Sequence, residues 1–147
     1  MSSTNNQFSI ELPDDWEDAT TYSFMGPEIN GVQHLLTVSV DNEVGDEYYV
    51  DYARGRIEVL TMTLSGLEIL TEEERTLENG TQYYFMACRW IPTDGRVLYQ
   101  KYYYMIIDGV AYTFAGTFSK QSLKTIGRQV EQMINTFKPG AVVQSDE

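Results

Sequence analysis

The chain holds one histidine, His34, and one cysteine, Cys88. A thiol nucleophile needs a base in contact to take its proton, and His34 is the only imidazole available to Cys88. No motif brings the two together. His34 stands beside Leu35 and Leu36 in an alternating stretch, and Cys88 stands in an apolar one, where a thiol is usually inert. The carboxylates fall in runs, Asp14-Asp15 and Glu72-Glu73-Glu74. On a strand, neighbouring side chains point to opposite faces, so Glu73 serves one side and Glu72 with Glu74 the other. Neither run has the ligand spacing of a calcium loop. The chain has no glycine-rich phosphate loop, nucleophile elbow or paired zinc motif. The expectation is a protein that is not an enzyme, with no catalytic, cofactor-binding or metal-binding residues.

Composition narrows the partners. A length of 147 residues suits one domain, and 42% hydrophobic residues suffice for its core. A net charge of −12 disfavours nucleic acid and anionic membrane surfaces. The charge is uneven: residues 1–80 carry 17 acidic and 3 basic side chains, and residues 81–147 carry 5 and 7. The acidic half reads as a solvated surface or as a patch that steers a basic partner. The polar opening predicts a chain without a signal peptide, and no stretch reaches the roughly 18 apolar residues of a membrane span. With a single cysteine, a cytoplasmic location is expected.

Two kinds of periodicity position these residues. Phe8, Ile10 and Leu12 alternate as a strand that Pro13 ends. Further strands are predicted over Thr20–Met25, stopping at Gly26-Pro27, and over Val32–Val40. Asp46 is a candidate cap for a helix whose stripe is Tyr49, Ala53, Ile57, Leu60 and Leu64, with Gly66 as its stop. An antiparallel meander follows, with turns at Asn79-Gly80, Pro92-Thr93-Asp94-Gly95 and Asp108-Gly109. A closing helix is predicted from Ser119, with Leu123, Ile126, Val130, Met133, Ile134 and Phe137 inward. The fold class is α+β: one domain over residues 7–139, a twisted antiparallel sheet of six to seven strands, two long helices, and flexible tails at 1–6 and 140–147.

Turn lengths then set the faces. A two-residue loop at 108–109 pairs Ile107 with Val110, Met105 with Tyr112 and Tyr103 with Phe114. The 92–95 loop pairs Trp90 with Val97 and Cys88 with Tyr99, and the 79–80 turn pairs Thr76 with Tyr83. One face then carries Tyr84, Met86, Cys88, Tyr103, Met105 and Phe114 as a core. The other carries Tyr83, Phe85, Leu98, Gln100, Tyr102, Tyr104, Thr113 and Ala115. That second face is more aromatic than a solvated antiparallel face should be. Either a helix covers each face, or part of the second face is open and receives a partner. In the open case these eight residues bind the partner. A one-residue slip would exchange the sets.

Strand, Leu12-Pro13-Asp14-Asp15-Trp16-Glu17-Asp18, strand pair, long helix, meander and closing helix together resemble the DcrB-like family, which has the PsbP-like α/β/α sandwich fold. The most specific pieces are Pro13-Asp14-Asp15-Trp16 with Asp18 and the span from Tyr49 to Gly66. The resemblance implies a non-enzymatic role. Some cytoplasmic members are adaptor chaperones for type VI secretion effectors, homodimers that shelter a cargo's hydrophobic N-terminal helices. This chain carries Val38-Ser39-Val40-Asp41-Asn42 where many such relatives have an Arg-Asp pair. The function expected is therefore a protein-binding adaptor or chaperone, a homodimer with an effector-like cargo. The alternatives are a regulatory or structural module that binds a basic protein surface through the acidic half, or a small-molecule binder.

Overall fold

Alternating stretches fold into antiparallel strands, and the two 3.6-residue stripes fold into helices that cover them. The computed structural model describes residues 2–4, 9–16, 20–29, 31–64, 66–91 and 95–139. A short ribbon joins β1 (Ser2–Thr4) to β2 (Ser9–Glu11), where the sequence suggests a frayed start. The main sheet holds β3 (Thr21–Ile29), β4 (Val32–Asp41), β5 (Glu68–Thr76), β6 (Gln82–Trp90), β7 (Leu98–Ile107) and β8 (Val110–Phe118), in the order β3-β4-β8-β7-β6-β5. Helix α1 (Tyr49–Thr63) connects β4 to β5, and α2 (Ile126–Asn135) follows β8. The described residues form a single α+β domain of a six-stranded antiparallel sheet, a two-stranded ribbon and two helices.

Local chemistry moves several predicted boundaries. Strand β3 does not stop at Gly26-Pro27 but passes them as an irregularity between Met25 and Glu28. Asp46 does not cap α1: the residue before the helix is Tyr48, and no side chain caps that end. Helix α2 starts at Ile126 rather than near Ser119. The intervening residues form successive turns, Ser122 N–H to Ser119 C=O and Thr125 N–H to Ser122 C=O, both 3.2 Å. Phe8, Glu17, Asp18, residues 92–94 of the predicted turn and the 140–147 tail lie outside the described residues.

Turn chemistry decides the registers. Asp108 and Gly109 both take positive φ, 52° and 78°, as a two-residue type I′ loop requires. Strands β7 and β8 accordingly pair Ile107 with Val110 and Tyr103 with Phe114, as expected. The Asn79-Gly80 turn is longer than expected. Leu77 N–H donates to Thr81 C=O and Gly80 N–H to Leu77 C=O, so residues 78–80 form the loop, with Gly80 left-handed at φ 95°. Three-residue hairpins of this kind combine a type I turn with a left-handed glycine. Strand β6 thus slips one place against β5, with Arg75 opposite Tyr83. It also slips one place against β7, with Cys88 opposite Gln100 and Trp90 opposite Leu98.

The slip exchanges the faces of β6. Tyr84, Met86 and Cys88 join Tyr104 and Ala111 against Val50, Ala53 and Ile57 of α1. Tyr83 and Phe85 join Tyr103, Met105 and Phe114 on the opposite face, with Val130 and Ile134 of α2. Each helix therefore covers one face. Met86, Met105, Tyr103, Tyr104 and Phe118 are fully buried, each contributing about 1.5–3 kcal/mol of apolar burial. Gly116 permits the α2 layer to sit closely, because a Cβ there would lie 2.8 Å from Phe118 Cζ. Among the described residues no helix is long and apolar enough to cross a membrane.

Candidate functional site

The one cysteine and the one histidine are both held in buried structural contacts. Cys88 is buried under α1, and burial pushes its thiol up to about 11. His34 is buried on the opposite side, its ring edge-on to Phe118. Its Nδ1 lies 2.9 Å from the Pro27 carbonyl and its Nε2 lies 2.5 Å from Ser122 Oγ. A carbonyl only accepts, so Nδ1 carries a proton and donates to Pro27, while Nε2 and the Ser122 hydroxyl share the second bond. Ser122 Oγ also accepts from the Ser119 amide and hydroxyl, at 3.1 and 3.0 Å. His34 thus ties the Gly26-Pro27 irregularity to the turn that leads into α2.

The glutamate run divides between faces as strand geometry requires. Tyr84 donates to Glu72 at 3.0 Å and Tyr49 to Glu74 at 2.6 Å, while Glu73 pairs with Arg75 at 2.5 Å. Among the described residues no three His, Cys, Asp or Glu side chains converge as a metal site.

The eight predicted partner-binding residues do not form one surface. Tyr83 and Phe85 lie in the core on the α2 side, and Arg75 stands 3.7 Å from the Phe85 ring centre. Tyr104 is buried beneath α1 and stacks on Tyr102 at 6.0 Å. Leu98, Gln100, Tyr102, Thr113 and Ala115 are half-buried on the α1 face. Helix α1 packs on β6 and β7, and the rest of that face is a band of small and hydroxyl side chains. Thr113, Ala115 and Thr117 lie opposite Ser39, Thr37 and Leu35. Gln100 organises one margin of this band: Trp90 Nε1 and the Tyr102 hydroxyl donate to its Oε1 at 3.0 and 3.1 Å, and its Nε2 donates to Thr117 at 3.3 Å.

An unfilled apolar surface lies on the other side, between α2 and the β3–β4 end of the sheet. Helix α2 packs on β8, which leaves an apolar cleft of about 610 Å³ beyond it. Tyr22 and Phe24 form one wall, Val38 and Phe114 the floor, and Met133 and Phe137 the helix side. Tyr22, Phe24 and Met133 are 47%, 53% and 46% exposed, a dense grouping of large apolar side chains in contact with water. A second hollow of about 250 Å³ continues toward Gly26 and Pro27 and shares Phe24, Leu36 and Met133 with the first. Lys138 is a cation on the rim. Sequence reasoning missed this cleft because it placed Met133 in the core. Tyr22 and Phe24, two apart in a strand with few other apolar positions, were the available signal.

Residues 8–136 match the family model described as DcrB. The solved structure of PA94 from Pseudomonas aeruginosa, a protein of unknown function described as a candidate regulator, is similar at a TM-score of 0.73 and 18% identity. The similarity covers 95% of this chain and 96% of that one, and it is one of fold. Cyanobacterial PsbP from Synechocystis sp. PCC 6803 gives a TM-score of 0.48 at 13% identity, over 92% and 89% of the two chains. The Ran-binding protein Mog1p of Saccharomyces cerevisiae gives 0.46 at 14%, over 80% and 69%. A comparison with curated proteins gives no significant match.

Proposed function

As this chain belongs to the DcrB family, we propose that it is a non-enzymatic adaptor or chaperone whose cleft shelters an apolar helix of a partner protein. Its cargo is an effector of type VI secretion with hydrophobic N-terminal helices, held in the cytoplasm before export. One observation carries the reading: the open apolar cleft between α2 and β3–β4, walled by half-exposed Tyr22, Phe24 and Met133. A helix is about 10–12 Å across with its side chains, so a groove of this volume receives one face of two or three turns. Met133 adapts to irregular surfaces, and the Tyr22 and Thr136 hydroxyls on the walls offer hydrogen bonds to a polar position of the cargo.

The test is co-expression with a cargo fragment that carries its first apolar helices. Phe24→Asp and Met133→Asp place a charge in the groove and should abolish co-purification. Both residues are half-exposed, so the unfolding free energy should change by no more than about 1 kcal/mol. Ala115→Asp, on the opposite face, should leave capture intact. Capture that survives Phe24→Asp and Met133→Asp would refute the reading. Capture lost on raising salt alone would favour the acidic half as the docking surface, because salt screens charge and not apolar contact.

A further inference from the structure

The two edges of the main sheet are built differently. Strand β5, at one edge, carries Glu68, Glu72, Glu73, Glu74 and Arg75, the kind of charge that blocks a further strand. Strand β3, at the other, has no charged side chain from Thr21 to Pro27, and its residues through Glu28 are all exposed. Among the described residues no strand pairs with the outer side of β3.

The ladder shows which backbone groups that edge offers. Val40 N–H donates to Thr20 C=O at 3.2 Å, which makes positions 20 and 40 a hydrogen-bonded pair. Antiparallel ladders alternate, so Tyr22–Val38 and Phe24–Leu36 are bonded pairs in the same register. The N–H and C=O groups of Thr21, Ser23 and Met25 therefore point away from β4. The side chains sort in the same period. Tyr22 and Phe24 face the cleft beside α2, whereas Thr21 and Ser23 continue the hydroxyl band of the other face.

We infer that β3 is a docking edge for an extended segment of another protein, which adds as a seventh strand. The bonding groups of Thr21, Ser23 and Met25 fix its register. On the cleft side its alternate residues are apolar and cover Tyr22 and Phe24; on the other side they are small and hydroxylated. Charge completes the description. The protein carries −12, and Glu28 stands exposed at one end of the uncharged run, so the segment is flanked by Lys or Arg. A second copy of this chain supplies the same uncharged strand but another −12, so charge favours the basic segment over it. The inference shares Tyr22 and Phe24 with helix capture in the cleft but is distinguishable from it, since it rests on the backbone of β3 and not on Met133.

The probe is the peptide acetyl-Lys-Val-Thr-Phe-Thr-Val-Lys-amide, with a control N-methylated at the amides that would meet β3. In the free protein the Thr21, Ser23 and Met25 amides should exchange with solvent as fast as in a loop. The peptide should slow all three at least about tenfold, and the N-methylated control should not. Ser23→Pro removes an outward N–H that the fold does not use, and edge strands tolerate proline; it should abolish peptide binding with the fold intact. If that variant fails to fold, the control peptide carries the test alone. Met133→Asp should leave strand addition in place, which separates this inference from the helix-binding proposal. Equal binding of the N-methylated peptide, no protection at the three amides, or their protection in a peptide-free dimer would each overturn it.

Discussion

At the scale of single residues, Cys88 and His34 are both buried in the packing of the sheet and its helices. Burial pushes the Cys88 thiol up to about 11, so at pH 8 it is less ionised than an ordinary thiol. A disulfide-exchange reagent should react with the native protein very slowly and with the unfolded protein at once; fast native reaction would show that α1 does not seal this site. His34→Ala should cost about 2–4 kcal/mol in chemical denaturation, because it opens a cavity and removes the bonds to the Pro27 carbonyl and the Ser122 hydroxyl. A loss below about 0.5 kcal/mol would remove the latch from the account. The sequence suggested a structural or surface role for His34, but not that it is buried or what it holds. Its partners Pro27 and Ser122 are brought to it by a strand irregularity and by a turn 88 residues away.

At the scale of elements, legibility followed turn chemistry. Asp108-Gly109 demands a two-residue loop, and the β7–β8 register came out as expected. Asn79-Gly80 supports either a two- or a three-residue loop, and the longer one shifted β6 by one place. Nothing in β6 could arbitrate, because Tyr83 to Met86 is apolar on both faces and a helix covers each. The glycine that makes the longer loop should be measurable. Gly80→Val forces a branched residue to φ 95° and should cost at least about 1 kcal/mol. No change on equilibrium unfolding would contradict the three-residue turn. Gly116→Ala would set a methyl 2.8 Å from Phe118 and should destabilise by about 1–3 kcal/mol, with chemical-shift changes spreading into α2.

The whole molecule is a sheet with a partial helical layer on each face, α1 over β6 and β7 and α2 over β8. The sequence contains the apolar face of α2, but not its offset over β8, and that offset creates the cleft. The cleft was therefore invisible until tertiary packing was known. The tyrosine-rich interior makes a separate prediction about pH. Burial raises Tyr102 up to about 12 and raises Tyr103 and Tyr104 further. Unfolded tyrosines ionise near about pH 10, so above that pH the unfolded chain releases protons that the native state still holds. Stability that is full below about pH 10 should fall steeply as pH rises beyond it. These phenolates should then appear together with loss of fold; smooth titration of all eleven tyrosines near pH 10 in a folded protein would contradict the buried stack.

The cleft itself is tested most directly by calorimetric titration of a Lys-flanked Leu/Ala helical peptide into the wild-type protein and Met133→Asp over a series of temperatures. Burial of apolar surface gives a negative heat-capacity change. The account predicts saturable wild-type binding with that signature, insensitive to salt and lost in Met133→Asp. A heat-capacity change near zero, or equal binding by the variant, would contradict it.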